Sequence, residues 1–60
     1  MKNNKRIIRY LEKEGRSPTS KISQNLGINY YAVETILKKL RREKLVISEK
    51  KGKGTFWIVK

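Results

Sequence analysis

The chain has 60 residues, with 16 Lys and Arg against five acidic residues, a formal net charge of +11. That length fits one small domain over residues 1–60, burying only about 60% of its unfolded surface in a modest core. The absence of Cys and His excludes disulfides and thiolate or imidazole metal sites, and no Asp is present to complete a usual nucleophile–base pair, so neither an enzyme nor a cofactor is expected.

So dense a positive charge repels itself, and it makes most sense when the usual partner is a polyanion. Nucleic acid is the leading candidate; the plain alternative is a very soluble, lysine-rich surface. No stretch offers the roughly 18 apolar residues of a membrane span, and no apolar signal region follows the N-terminus. The expectation is an intracellular protein, in the cytoplasm or nucleoid, with no membrane partner. Basic residues are spread along the whole chain, so charge alone does not choose a binding face.

Ile7, Ile8 and Leu11, with Tyr10 at the edge, predict a first helix from about Asn4 to Glu14. Asn3 or Asn4 can cap its start, and Gly15 suits the left-handed position past its end. Ser17-Pro18 reads as the start of a second helix, Ser accepting from an orphan amide and Pro wasting no N–H; Thr19 is the rival cap. Ile22 and Leu26 point inward, Gly27 closes this helix, and Ile28 packs back under the turn. A third helix is predicted from an Asn29 cap to about Glu43, with an apolar stripe of Val33, Ile36, Leu37 and Leu40. Leu45 to Lys50 then reads as a strand, Lys51-Gly52-Lys53-Gly54 as a tight basic turn, and Thr55 to Val59 as the return strand. Two glycines in that turn can supply positive φ and let backbone approach a partner closely.

This order, with Ile22-Ser23-Gln24-Asn25-Leu26-Gly27-Ile28, Asn29-Tyr30-Tyr31-Ala32-Val33, Leu37-Lys38-Lys39-Leu40 and Leu45-Val46, resembles the winged helix-turn-helix family of DNA-binding domains. The signature is similar to that of the multiple-antibiotic-resistance and arsenical-resistance types of repressor. Leu26 and Val33 must bury to fix the angle between two helices, and Gly27 lets the chain turn sharply. The implied fold is α+β and mostly helical, three helices followed by a C-terminal two-stranded β-hairpin, the wing.

The resemblance implies that the third helix enters the major groove of double-stranded DNA with its N-terminal half leading. Its outward positions are Asn29, Tyr30, Tyr31, Glu34, Thr35 and Lys38. Asn29 is a cap before it is a base reader. Tyr30 and Tyr31 cannot both face the core, so one packs against the second helix while the other offers a hydroxyl to phosphate or a ring to a thymine methyl. Glu34 faces DNA awkwardly; it either accepts from a cytosine amino group or forms a solvated pair with Lys38. Thr35 is a groove contact or a neutral surface position. Lys38 is the foremost candidate on this helix. Lys39, Arg41 and Arg42 either touch flanking phosphates or simply complement the helix dipole.

In this family the wing reaches the minor groove or adjacent backbone, a role that fits Lys50, Lys51, Gly52 and Lys53; a basic turn that only aids solubility is the alternative. Ser17, Thr19, Ser20 and Lys21 stand where amides and hydroxyls hold a phosphate, or serve as caps alone. Arg6 and Arg9 receive no assignment. A Trp just after a wing also resembles the Z-DNA-binding (Z-alpha) subgroup of winged helices. That subgroup has an Asn and, four residues on, a Tyr on the recognition helix, where this chain has Glu34 and Lys38. The prolines that precede the Trp there are missing here. Trp57 is therefore expected to pack between sheet and third helix with its edge wet.

The expected function is sequence-preferring binding of double-stranded DNA by a small transcriptional regulator. A protein–protein docking winged helix and non-specific binding of RNA or chromatin are the alternatives. A homodimer, formed in solution or only on DNA, is compatible with the chain, and Tyr10 on the first helix is its candidate contact.

Overall fold

Ile7 and Leu11 stand one helical turn apart, and both are fully buried on the inner side of α1 (Lys2–Glu14). The computed structural model describes residues 2–60. In it α1 begins ahead of Asn3 and Asn4, which lie in its first turn rather than capping it. Gly15 takes φ +76°, and its N–H donates to the Leu11 carbonyl at 2.8 Å, closing the helix as predicted.

Ser17 and Pro18 do not start a helix. They form a short strand, β1 (Ser17–Pro18), antiparallel to the last strand of the chain, with Ser17 opposite Trp57 and Pro18 opposite Phe56. Proline has no N–H to give a ladder, and a sheet edge tolerates that. Helix α2 (Thr19–Leu26) then begins with Pro18 at the cap position and no side-chain cap bond, so neither Ser17 nor Thr19 caps it. Its inner face buries Ile22, and Leu26 packs against the core from the edge. Gly27 turns the chain at φ +65°, and the Ile28 N–H donates to the Ser23 carbonyl at 3.2 Å. The Ser23 hydroxyl in turn donates to the Ile28 carbonyl, locking the turn between helices from both directions.

Asn29 caps α3 (Tyr30–Arg42): its side-chain oxygen accepts from the Tyr31 N–H at 2.9 Å and the Ala32 N–H at 3.4 Å. Val33, Leu37 and Leu40 are buried, while Ile36 packs at the margin. Strands β2 (Val46–Lys51) and β3 (Gly54–Val59) pair from Val46 opposite Val59 to Lys51 opposite Gly54. The sheet order is β1-β3-β2, so the expected two-stranded hairpin carries a third, two-residue strand. The turn itself is Gly52-Lys53, with φ +60° at Gly52; Gly54 lies in β3 and is not among the positive-φ glycines. A glycine at the first of two turn positions matches a type II′ hairpin.

One core gathers residues from every helix and both long strands: Ile7, Leu11, Ile22, Val33, Leu37, Leu40, Val46 and Trp57. Among the described residues no helix is long and apolar enough to cross a membrane.

The end of α3 holds a local conflict. Lys44 donates its N–H to the Arg41 carbonyl at 2.9 Å, and Leu45 donates to the Leu40 carbonyl at 2.9 Å, the paired bonds of a Schellman ending. That ending needs a left-handed residue, and Lys44 supplies it at φ +65°, a conformation costing an L-residue roughly 1–2 kcal/mol. Lys44→Gly is expected to raise stability by about 0.5–1 kcal/mol after the extra chain entropy of glycine is offset. Lys44→Ala, which removes the same charge and keeps the strain, should not, as urea unfolding of the two variants will show.

Candidate nucleic-acid interface

A helix with one buried stripe must expose the opposite one. In α3 the buried line of Val33, Leu37 and Leu40 leaves Tyr31, Thr35, Lys38 and Arg42 at the centre of the outward face, spaced four, three and four residues apart. Tyr31 is 74% exposed, against 43% for Tyr30. The two rings meet edge to face, centroids 5.7 Å apart and planes at 86°, so Tyr30 props Tyr31 outward. The Thr35 hydroxyl donates to the Tyr31 carbonyl at 2.9 Å, leaving its oxygen free to accept. Thr35, Lys38, Lys39 and Arg42 together line a shallow depression on this face.

Tyr30, Glu34 and Arg41 lie on the flank that turns towards the wing. With Ser20, Lys38 and Lys53 they line a groove of about 320 Å³ between α3, the start of α2 and the hairpin. Lys38 reaches Glu34 at 3.8 Å, the pairing read from the sequence, with both side chains partly in water. A pair so exposed contributes at most a few tenths of a kcal/mol, so Lys38 is free to swing to another anion. The groove thus has three cations, one carboxylate, an aromatic hydroxyl and a serine hydroxyl at its rim.

Its floor is Trp57, only 3% exposed. The indole N–H donates to the Thr19 hydroxyl at 2.8 Å, and the Arg41 guanidinium stands 5.7 Å over the ring. Trp57 therefore packs against α3 as expected, but its polar edge is sealed by α2 rather than wet. Arg41 also donates to the Ser48 hydroxyl of β2 at 3.0 Å, so this side chain links the helix to the stem of the wing.

Two of the phosphate candidates at the front of α2 are turned inward. Ser17 is buried and its hydroxyl donates to the Gly15 carbonyl at 3.1 Å, while the Thr19 hydroxyl is engaged by Trp57. Ser20 and Lys21 are exposed, and Ser20 reaches the groove. Lys50, Lys51, Gly52 and Lys53 are all exposed around the turn of the wing, with Lys53 alone of the four at the groove. Asn29 spends its side-chain oxygen on the helix cap. Arg42 sits on the open face and Arg41 on the groove side, a separation that their adjacency in sequence implies.

Sequence reasoning missed Arg16. It pairs with Glu49 at 2.7 Å and stands 5.3 Å over the Phe56 ring, stapling the approach to β1 onto the outer face of the sheet. Partners 33 residues apart leave no mark in local spacing.

A family model described as FaeA-like protein matches residues 1–60. The chain belongs to the FaeA-like family. This is a winged-helix, helix-turn-helix family. Among solved structures, the chain is similar to the Zalpha domain of Carassius auratus PKZ in complex with Z-DNA, at 24% identity and TM-score 0.89, over 95% of this chain and 90% of that one. It is similar to the AntR antimony-specific transcriptional repressor at 16% identity and TM-score 0.83, over 92% of this chain and 50% of that one. It is also similar to ZitR of Lactococcus lactis at 27% identity and TM-score 0.78, over 95% of this chain and 44% of that one. The chain thus spans half or less of AntR and of ZitR. No curated protein matches it.

The Trp57–Thr19 contact gives a direct check on the geometry of the groove. Thr19→Val keeps the shape but leaves a buried indole N–H without an acceptor, a cost of roughly 1–3 kcal/mol. The urea midpoint should fall accordingly, and the emission of the one Trp should shift before unfolding begins. Thr19→Ser should restore most of both.

Proposed function

We propose that this chain binds double-stranded DNA with a preference for sequence and serves as a small intracellular transcriptional regulator, α3 lying in the major groove and the wing on minor groove or backbone. The observation that carries the reading is the outward stripe of α3. It is long, aromatic at one end and cationic at the other, and the one carboxylate of the helix interior, Glu34, is turned off it towards the wing. Such a stripe can lie against base edges without pressing a negative charge on them. The net charge of +11 supports the same reading, as does similarity to one fold bound to Z-DNA and to one transcriptional repressor.

Two kinds of contact divide between the two sides of the helix. Lys38, Arg41 and Lys53 around the groove hold a phosphate strand, with Ser20 as a neutral donor. Tyr31, Thr35 and Arg42 face the bases. Because the Thr35 hydroxyl already donates to its own helix, it is an acceptor outward, which suits the amino groups of adenine or cytosine. Tyr31 offers a ring edge to a thymine methyl. No catalytic step is part of this function. Two copies would be needed to read an inverted site one helical turn apart.

The ligand proposed is right-handed duplex, although one similar fold is bound to Z-DNA. Glu34 and Lys38 replace the Asn and Tyr on which the Z-DNA-binding subgroup relies, and Trp57 is sealed beneath Arg41 and Thr19. Emission from Trp57 should therefore respond no more to left-handed than to B-form duplex of equal charge; a strong response to the left-handed form alone would reverse the choice.

Selection of bound duplexes from a random pool tests the proposal, because a recovered motif gives specificity and, through its symmetry, copy number. With about six phosphates neutralised, log K should fall against log salt with a slope near −5. Lys38→Ala should shallow that slope by about one and, if Lys38 also touches bases, weaken the selected site by roughly 1–3 kcal/mol more than random duplex. Equal loss on both sites assigns Lys38 to the backbone only. Absence of saturable binding at moderate salt would leave the docking-module reading in its place.

A further inference from the structure

Lys5, Arg9 and Lys13 recur every four residues along α1, and Arg6 joins them from the next row. Residues so spaced share a helix face at intervals of about 6 Å. All four are exposed, on the side away from buried Ile7 and Leu11. Among the described residues the ion pairs are Arg16–Glu49 and Glu34–Lys38, so none ties up a cation of this row; exposed Glu12 borders the row one turn beyond Arg9 and leaves it with four cations to one carboxylate.

The row is partly built into the fold. The Arg6 guanidinium donates to the Leu26 carbonyl at the end of α2, at 2.8 Å, which fixes one cation at the seam between helices. Beside it the Tyr10 hydroxyl accepts from the Asn25 side chain at 2.7 Å. Arg6, Arg9 and Lys13 then rim a shallow depression of about 290 Å³ over Tyr10 and Leu26. Helices α1 and α3 bury their apolar stripes in the same core, so their exposed faces look out from different sides of a body whose extents are 30, 23 and 21 Å.

We infer that this face of α1 is a second duplex-binding surface, so that one chain holds two DNA segments, one on α3 with the wing and one on α1. The inference rests on the DNA-binding reading above. A duplex suits the face better than an acidic protein does. The row offers repeated point charges, and its depression holds only one tyrosine and a partly covered leucine, where a protein interface needs a desolvated apolar or aromatic centre. Phosphates in a regular line ask for nothing but spaced cations, and contacts of this kind carry no sequence preference. It also accounts for the even spread of positive charge along the chain, which a single binding face would not require.

Beads carrying one duplex test this by capturing a second, labelled duplex through the full-length chain at low salt. Wild type should bridge the two, and with excess duplex of about one helical turn the sedimenting complex should contain two duplexes per chain. The triple variant Lys5→Ala, Arg9→Ala, Lys13→Ala should keep binding to the bead duplex within about threefold, yet capture at least about tenfold less of the second, three phosphate contacts being lost. Unchanged Trp57 emission in the variant shows that it is folded. Complexes holding one duplex per chain, or bridging that survives in the triple variant, would overturn the inference. So would free chain that sediments as a dimer and bridges by that route, or an α1 face that takes up polyglutamate and no second duplex. Failure of the DNA-binding reading itself looks different: the wild-type chain would not be retained on the bead duplex at all.

Discussion

The fold depends on what happens at Trp57. Four separate parts of the chain meet on this ring: β1 pairs with it through Ser17, α2 accepts its N–H through Thr19, Arg41 of α3 covers its face, and Ser48 of β2 lies opposite it in the sheet. A hairpin alone is only marginally stable, and this one bears a basic turn that gains nothing by packing. The junction converts it into part of the core, because Trp57 is shared with β1, α2 and α3 as well as with β2. It also fixes the distance from wing to α3, which sets the width of the groove between them. A wing that swung freely would bring Lys53 to a phosphate only at the cost of ordering the whole hairpin.

A second constraint is electrostatic. With a net charge of +11 in a radius of gyration of 10.1 Å, like charges crowd every face, and the two ion pairs among the described residues are both partly in water. Such pairs do little for stability. What holds the chain together is the apolar core of eight residues, working against its own surface. A polyanion laid on that surface relieves the repulsion, so binding and folding should reinforce each other through simple mass action. The same excess of charge explains why net charge could not single out the face of α3: the pattern of buried residues had to do so.

Much of this was legible in the sequence, and the failures have identifiable causes. The three helices, the Gly27 turn, the Asn29 cap and the order of the hairpin strands follow from apolar spacing and from residues with one favoured backbone role. Ser17-Pro18 misled because the same pair suits a helix start or a sheet edge, and a two-residue strand has no periodicity to betray it. Once Ser17 is drawn into the sheet, its hydroxyl turns to Gly15 and ceases to be a phosphate donor. Thr19, expected as a cap or a phosphate contact, is neither: its hydroxyl is taken by the indole of Trp57, a partner 38 residues away that local spacing does not reveal. Lys44 carries the left-handed turn that glycine usually signals, so the ending of α3 was placed one residue late. On the candidate site, the helix face was readable, whereas the division between a base-facing stripe and a wing-facing flank needed the position of the hairpin.

Arg41 shows why that division matters. Read as one of several basic residues near a helix end, it is interchangeable with Arg42; placed in the fold, it is not. Arg42 is exposed and makes no side-chain hydrogen bond or ion pair among the described residues, whereas Arg41 is held over an indole and tied to Ser48 before any ligand arrives. A guanidinium has five N–H donors, and the bond to Ser48 occupies one. Arg41 lines a groove with Lys38 and Lys53, long exposed side chains that lose rotamer freedom on binding. A phosphate entering there meets one cation already ordered and two that are not, so the ordered one sets where the strand lies and the lysines add attraction around it. Position comes from the residue that packing has fixed, and strength from those it has left free.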